Sequence, residues 1–281
     1  MAEFYSVEEH AESLASERDR AIVFENVTIG FEDRLVLDGV SFHVKRGETK
    51  AIFGVAGSGK TLILKLTMGL IKPDSGRILV LGYDVTAMPE EELFELRRKI
   101  GMVFQESALF DSLTVEENVA YRLFEEHDLP PEEVRGRVLE TLRFVELEHT
   151  VEMYPSELSG GMRRRVAIAR AMITQPDVLL YDSPTGGLDP VTSTTIVELL
   201  VKQRDVYKTT SLLVTHRLQD AFIMATHHFD RQTNAMKELP QGSPVNVATT
   251  FILLRDGKVI FDGTAQELAQ SRDPYIRDYL S

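Results

Sequence analysis

Residues 54–61 read GVAGSGKT and combine the residue types that bind phosphate. Glycines let the backbone turn tightly, so that successive N–H groups can point inward at phosphate oxygens. In the pattern G-x-x-x-x-G-K-[ST], the lysine reaches the β- and γ-phosphates and the last hydroxyl binds Mg²⁺. The sequence therefore predicts a nucleotide-binding loop. Its candidate contacts are Gly54, Val55, Ala56, Gly57, Ser58, Gly59, Lys60 and Thr61.

A second candidate site ends an apolar run, VLLYD, at Asp182. A carboxylate at the C-terminal end of a buried strand can hold Mg²⁺ directly or through water. Many buried strands end in aspartate, so this motif alone is a weak signal. It becomes informative here because a phosphate loop precedes it in the chain. Thr61 and Asp182 together predict a Mg²⁺ site.

A third candidate site is LSGGM at residues 158–162, which leads into a helix-like run over 162–171. Ser159 can cap that helix, and Gly160 and Gly161 leave backbone N–H groups free at its positive end. The pattern fits either an anion site or an ordinary capped helix. We expect the arginines of the helix to face solvent. We expect three of its apolar residues to be buried: Val166, Ile168 and Ala169.

The elements that must position these residues alternate along the second half of the chain. Strand-like runs at 178–181 and 211–215 alternate with helical patterns at 190–203 and 218–225. This alternation predicts an α/β fold with a largely parallel sheet. Further strand-like runs lie at 21–28, 40–44, 50–53, 77–80 and 100–104, and a terminal hairpin is expected around Asp256 and Gly257.

The composition narrows the class of protein. The chain has 281 residues, 43% of them apolar, which is enough for a substantial core. No run approaches the roughly 20 apolar residues of a membrane helix, and the N-terminus lacks the apolar region of a signal peptide. The chain has no cysteine, which excludes disulfides and thiolate metal sites. A net charge of −13 argues against nucleic acid as a partner.

The LSGG motif and its following arginine-rich helix resemble the signature of ATP-binding-cassette (ABC) ATPases. Met162 stands where that family usually has glutamine. The resemblance covers residues 21–281, and it implies roles for four more residues. Phe31 would stack on adenine, and Gln105 would sense Mg²⁺ and the attacking water. Asp189 would cross a dimer interface, and His216 would contact the γ-phosphate.

The resemblance implies a P-loop ABC ATPase fold. Its core sheet would be largely parallel, with an antiparallel N-terminal β subdomain and an α-helical signature subdomain at about 106–172. Residues 1–20 are predicted to be an acidic extension, and the polar stretch at about 228–250 is predicted to be an inserted loop or mobile segment. The expected cofactors are ATP and Mg²⁺, with Thr61, Gln105 and Asp182 as metal ligands.

The family's arrangement also implies a head-to-tail homodimer with two ATPs. Each nucleotide would lie between the phosphate loop of one protomer and the signature loop of the other. The residues that would contact ATP across the interface are Ser159, Gly160, Gly161 and Asp189.

One position departs from the family pattern. The residue after the metal-binding aspartate is usually a glutamate that polarises the attacking water, but here it is Ser183. A hydroxyl of very high pKa cannot act as a carboxylate base, and such a base is typically worth about 10²–10⁴-fold in rate. We expect ATP binding to persist and hydrolysis to be slow. Three interpretations are open: compensation by His216 or Asp189, a naturally slow ATPase, or a residue introduced to trap the ATP-bound state.

The segments around Gln105 and the signature motif further resemble the ATPases of Mla/Mce-type lipid transporters. That resemblance implies integral membrane permease subunits, an Mce-domain lipid-binding protein and room for a small accessory subunit. It implies a location at the cytoplasmic face of a bacterial inner membrane. Leu109 and Phe110 are candidate permease contacts, with core packing as the alternative.

Other functions remain open on the sequence. One is an importer ATPase for amino acids or other small solutes. Another is a soluble ABC protein acting in DNA repair or on ribosomes, which usually has two cassettes or a coiled-coil insertion. The third is a nucleotide-dependent scaffold with negligible turnover.

Overall fold

The computed structural model describes residues 19–32, 34–126, 129–240 and 249–280. The strands are β1 (Arg20–Phe31), β2 (Arg34–Lys45), β3 (Thr49–Gly54), β4 (Ser75–Val80), β5 (Tyr83–Asp84), β6 (Ile100–Val103), β7 (Val178–Asp182), β8 (Thr210–Val214), β9 (His227–Asp230), β10 (Ala235–Glu238), β11 (Thr249–Arg255) and β12 (Lys258–Thr264). The helices are α1 (Lys60–Thr67), α2 (Glu90–Arg98), α3 (Val115–Glu126), α4 (Pro131–Phe144), α5 (Gly160–Met172), α6 (Pro190–Tyr207), α7 (Leu218–Thr226), α8 (Ala265–Ala269) and α9 (Pro274–Leu280).

The central sheet has six strands in the order β12-β11-β3-β8-β7-β6. From β11 to β6 all neighbours pair in parallel, and β12 pairs antiparallel with β11. Side chains of the central strands alternate between two apolar clusters: Ala51 and Phe53 join one, and Ile52 joins the other. The strands are buried because both faces of the sheet are covered. The predicted largely parallel α/β sheet is confirmed.

The register of the sheet aligns the ends of three strands. Ile52 of β3 and Asp182 of β7 both lie opposite Val214 of β8. The segments that follow these strands therefore leave the sheet at one edge, which is where open α/β sheets bind ligands.

The N-terminal strands form a separate four-stranded antiparallel sheet in the order β2-β1-β4-β5. Its apolar face shares one cluster with Ile52 of β3 and Leu64 of α1. Phe24 and Phe42 stack in this cluster with ring centroids 4.5 Å apart. This packing holds the end of β1, where Phe31 lies, near the start of α1.

Helices α3, α4 and α5 cover the other face of the central sheet and lie within residues 106–172, the range predicted for a helical subdomain. A capping box begins α3: the Glu117 N–H donates to Thr114 Oγ1 at 3.2 Å, and the Thr114 N–H donates to Glu117 Oε2 at 2.7 Å. The division of the chain into domains stays a prediction.

The prediction that residues 228–250 form a loop is wrong for its first part. β9 and β10 form an antiparallel hairpin. Polar contacts hold the hairpin: Lys237 donates to Asp230, and the Phe229 N–H donates to Asp205 Oδ2 of α6 at 2.7 Å. Contacts of this kind leave no apolar periodicity in the sequence, so the pattern did not reveal the strands. Residues 241–248 lie outside the described residues.

The acidic extension predicted at residues 1–20 lies outside the described residues up to position 18, and Arg20 already begins β1. Among the residues the structure describes, no helix combines the length and apolarity needed to span a membrane.

Asn118 on α3 organises the segment that follows β6. Its side chain is fully buried. It accepts from the Phe110 N–H at 2.8 Å and donates to the carbonyls of Phe110, Leu113 and Thr114, each at 3.0 Å. One buried amide thus bonds four backbone groups of this segment, of which the Phe110 and Thr114 carbonyls also accept from the N–H groups of Leu113 and Asn118.

We predict that Asn118→Ala lowers the free energy of unfolding by roughly 2–4 kcal/mol, because the Phe110 N–H and the Leu113 carbonyl lose this partner and a fully buried side chain is truncated. Denaturant unfolding monitored by circular dichroism measures this. The control is Glu125→Ala, an exposed position on the same helix, which should change stability by less than about 0.5 kcal/mol. Equal effects of the two variants would contradict the prediction.

Candidate functional site

The predicted phosphate loop connects β3 to α1, as the motif requires. Gly54 and Gly59 have φ of 148° and 94°. Both positions are also crowded: an added Cβ would lie 2.6 Å from the Leu254 carbonyl oxygen at Gly54 and 2.6 Å from Leu37 Cδ2 at Gly59. A side chain at either position would therefore distort the loop, and only glycine fits both the space and the backbone angle.

The Lys60 ammonium group lies inside this loop. It is 5% exposed and donates to the carbonyls of Gly54 and Val55, each at 2.8 Å, and to Ser58 Oγ at 3.4 Å. Burial lowers the pKa of Lys60, and the Asp182 carboxylate partly opposes this. Phosphate oxygens carry full charge and are stronger acceptors than these neutral oxygens. The loop thus holds a cation that phosphate can recruit.

Thr61 and Asp182 meet, as the Mg²⁺ prediction requires. Thr61 Oγ1 donates to Asp182 Oδ1 at 3.3 Å. A hydroxyl and a carboxylate are the oxygen ligands that Mg²⁺ prefers, and the ion usually completes its shell with phosphates and water. In the described part of the chain, no group of three or more acidic, histidine or cysteine side chains could hold a metal alone. The donor set therefore fits Mg²⁺ bound together with a nucleotide.

An open cleft of about 510 Å³ runs from the phosphate loop to the end of β1. Phe31 lines its mouth and is 49% exposed, so it is not part of the apolar core. The side chains lining the cleft include Phe31, Val36, Lys60, Thr61, Ile71 and His216. An apolar mouth and a cationic floor suit a base at one end and phosphates at the other.

His216 follows β8 and lines the same cleft. Its pKa is lowered, first by burial and then by the nearby Lys60 ammonium, while the Asp182 carboxylate raises it. The imidazole is therefore neutral at neutral pH and can still donate one N–H. Its predicted contact with a γ-phosphate is compatible with this position and stays a prediction.

Gln105 lies exposed just after β6, and its side chain borders the turn that follows Asp182. Its Cγ would be 3.7 Å from a Cβ added at Gly186. Its backbone carbonyl accepts a hydrogen bond from Arg164 of α5. The structure thus brings Gln105 to the segment that carries Asp182 and Ser183, which its predicted metal role requires.

Ser183 is held tightly by its backbone. Its φ is 49°, its N–H donates to the Val214 carbonyl at 2.8 Å, and its own carbonyl accepts from Gly186 N–H at 2.9 Å. The hydroxyl is buried, and within the described residues it has no hydrogen-bond partner. No neighbouring acceptor is positioned to take its proton, so this hydroxyl is not activated as a base.

The signature residues lie on another surface. Ser159 caps α5, with its Oγ accepting from the Met162 N–H at 3.2 Å. Asp189 caps α6, accepting from the Thr192 N–H at 3.0 Å. A Cβ added at Gly161 would lie 2.4 Å from Thr192 Cγ2, so the two helix starts pack directly together. The four residues predicted to contact ATP across a dimer are thus close to one another, and among the described residues none lines the phosphate cleft.

The sequence analysis missed two residues near the site. Arg164 was expected to face solvent, and that expectation is wrong: it is 4% exposed and bonds to Gln105 and Ser183. Its spacing from the buried Ile168, one helical turn further on, was the available signal. Tyr279 of α9 was not singled out, yet its hydroxyl accepts from the Gly54 N–H at 3.3 Å.

Three comparisons with known proteins bear on this site. The ATP-binding protein MlaF of the intermembrane phospholipid transport system of Haemophilus influenzae is 34% identical over 92% of this chain and 89% of that protein. The methionine import ATP-binding protein MetN of Carboxydothermus hydrogenoformans is 40% identical over 70% of this chain and 59% of that protein. A solved ATP-binding cassette, dimeric and bound to ADP and Pi in a post-hydrolysis state, is 32% identical with a TM-score of 0.72, covering 86% of this chain and 98% of that one.

The ABC transporter family matches residues 37–186, from within β2 to the segment after Asp182. That range contains the phosphate loop, Gln105, the signature motif and Asp182, which the fold brings to two neighbouring surfaces. The resemblance drawn from the motifs is confirmed, and this chain belongs to the ABC transporter family as an ATP-binding protein.

Proposed function

We propose that this chain is the ATPase subunit of a transporter that moves phospholipid between membranes. The observation that carries the proposal is the extent of the similarity. The match to MlaF continues over 92% of this chain, whereas the match to the methionine importer covers 70%. An importer ATPase for amino acids or other small solutes is the second candidate, because that shorter match has the higher identity.

Binding of ATP with Mg²⁺ is supported by the loop around Lys60 and by the contact between Thr61 and Asp182. Thr61, Asp182 and Gln105 would hold the ion, which would neutralise phosphate charge. Phe31 would face the adenine. Lys60 would exchange its loop carbonyls for phosphate oxygens, which are stronger acceptors.

A head-to-tail homodimer is supported by the separation of the two anion sites. Ser159, Gly160, Gly161 and Asp189 lie together but outside the phosphate cleft. A second copy is needed to bring such a surface over the nucleotide, and the similar cassette bound to ADP and Pi is dimeric. ATP would then lie between the protomers and stabilise their association.

Docking to a permease is supported by an aromatic patch, which we define as Phe110, Tyr121 and Phe124. These side chains are 42%, 39% and 58% exposed, and the Phe110 and Tyr121 rings lie 4.7 Å apart. Exposed aromatic groups of this kind mark protein interfaces. We propose that the patch receives the permease, with an Mce-domain protein and room for an accessory subunit in the complex, at the cytoplasmic face of a bacterial inner membrane.

Slow hydrolysis is the part of the proposal that rests on Ser183. The backbone of this segment is well held, but no carboxylate follows Asp182. Binding and dimerisation need no general base, whereas activation of water does. Turnover is therefore proposed to be slow while nucleotide affinity is ordinary.

We predict that Lys60→Ala raises the Kd for ATP by about 10- to 100-fold, because a charge-assisted contact with phosphate is lost. Binding of a fluorescent ATP analogue measures the Kd. The control is Lys65→Ala, an exposed lysine lining the same cleft, which should change the Kd by less than about threefold. Equal losses in both variants would show that general positive charge, and not the loop lysine, binds the nucleotide.

We predict that Ser183→Glu raises kcat by at least about tenfold, because it supplies a carboxylate base beside Asp182. Release of phosphate from ATP measures kcat in the purified protein. The matched control is Ser183→Gln, which has the same length without basicity and should bind ATP without faster turnover. A kcat for Ser183→Glu no higher than for the wild type or the Gln variant would overturn the argument from the missing glutamate.

We predict that the chain, purified from membranes of its host, brings with it a permease and an Mce-domain protein. Phe110→Ala should reduce their recovery about tenfold or more, since exposed aromatic anchors dominate interface energies. Ile260→Ala is the control, because Ile260 is exposed on β12 at the opposite edge of the sheet. Recovery of a soluble solute-binding protein instead would favour the importer.

A further inference from the structure

Arg164 is a buried arginine that joins three segments of the site. Its Nη1 donates to the Ser183 carbonyl at 3.0 Å, and its Nη2 donates to the carbonyls of Gln105 and, at 3.5 Å, Gly186. Gly186 also donates its N–H to the Ser183 carbonyl at 2.9 Å. The guanidinium therefore contacts the turn after Asp182 from one side and the Gln105 segment from the other.

Burying this charged group costs folding free energy. Arg164 is 4% exposed, and burial lowers the pKa of its guanidinium, which nevertheless stays charged because arginine titrates far above neutral pH. Within the described part of the chain its partners are carbonyl oxygens, and its Nε is buried without a hydrogen bond. A buried charge without a counter-ion is expensive. Such a residue is better explained by the geometry it imposes than by the stability it adds.

The three carbonyls belong to residues around the predicted metal and water site. Gln105 is a predicted metal ligand, Ser183 follows Asp182, and Gly186 precedes the segment that leads to Asp189. Arg164 itself lies in the second turn of α5, whose first residues Gly160 and Gly161 form the predicted contact across the dimer. One rigid, planar guanidinium thus connects the signature helix α5 to the Gln105 segment and to the turn after Asp182.

We propose that Arg164 is a positioning residue that holds Gln105 and the turn at Ser183, next to Asp182, in the geometry required for Mg²⁺ binding and water activation. It acts through these backbone groups and touches no substrate. The proposal rests on the proposed ATP binding and hydrolysis.

The adjacent arginine provides a matched control. Arg165 lies on the same helix and also donates to a carbonyl, but that carbonyl is Val145, at 3.1 Å, in the helical layer. Loss of the Arg165 guanidinium should affect the packing of α5 without changing the predicted metal site. Arg164→Lys and Arg165→Lys therefore remove the same chemistry from two different places.

The first measurement is the affinity for a fluorescent ATP analogue with Mg²⁺ and with EDTA, which needs no turnover. For the wild type and Arg165→Lys, Mg²⁺ should strengthen binding. The gain is the ratio of the Kd in EDTA to the Kd with Mg²⁺. For Arg164→Lys and for Arg164→Gln this ratio should fall at least about fivefold, because displaced ligands bind the metal poorly. The affinity in EDTA should stay within about twofold, since Arg164 does not contact the phosphate loop. Thermal unfolding selects the Arg164 variant that remains folded.

The second measurement is single-turnover hydrolysis, made in the wild type and in the Ser183→Glu background. Arg164→Lys should lower the rate at saturating Mg-ATP about 10- to 100-fold, in addition to weakening Mg²⁺-dependent binding, because small displacements of catalytic groups also cost rate. The same Mg²⁺ gain and the same rate in the Arg164 and Arg165 variants would overturn the inference. Failure of the wild type and Ser183→Glu to hydrolyse ATP would count against the proposed function instead, and the Mg²⁺ measurement would still decide the role of Arg164.

Discussion

The parallel hydrogen bonding of β3, β8 and β7 is the constraint on which the rest of the site depends. It sets Ile52, Val214 and Asp182 level with one another, so that the phosphate loop and the Asp182 carboxylate lie at the same edge of the sheet. A slip of one residue would turn every side chain of a strand to the opposite face. Apolar packing prevents that slip, because each strand places alternate residues in two separate clusters.

Two buried cations, Lys60 and Arg164, lie near this edge of the sheet. They differ in whether they can exchange their present hydrogen-bond partners for a ligand. Lys60 sits among oxygens of its own loop, on a flexible stem that can turn to a phosphate. Arg164 bonds carbonyls of two other segments through a planar fork, which cannot turn without releasing them. One cation is therefore suited to bind a ligand, and the other is suited to hold the protein around it.

In the Ser183 segment, the backbone is well positioned but the side chain lacks a basic group. Its backbone is fixed by Val214, Gly186 and Arg164, as a catalytic segment requires, while its side chain supplies no base. An ATP-binding protein with this arrangement can keep nucleotide-dependent association and still turn over slowly. Membership of the ABC transporter family and the site geometry both support nucleotide binding, whereas the proposed slow turnover rests on the side chain at position 183.

Local patterns in the sequence were sufficient for the phosphate loop, for Asp182 at a strand end, for the caps at Thr114 and Ser159, and for the parallel sheet. Each of these depends on neighbouring residues whose spacing follows from the period of a helix or strand. The hairpin β9–β10, the burial of Arg164 and the bond from Gly54 to Tyr279 were decided only by the tertiary structure. The hairpin pairs residues that are close in sequence, but its polar strands lack the apolar alternation that would predict them. The partners of Arg164 and Gly54 are distant in sequence, so these contacts exist only once helices and sheets have packed. The same reason explains why the sequence alone identified the site's chemical groups, and why the fold was needed to show which residues hold them in place.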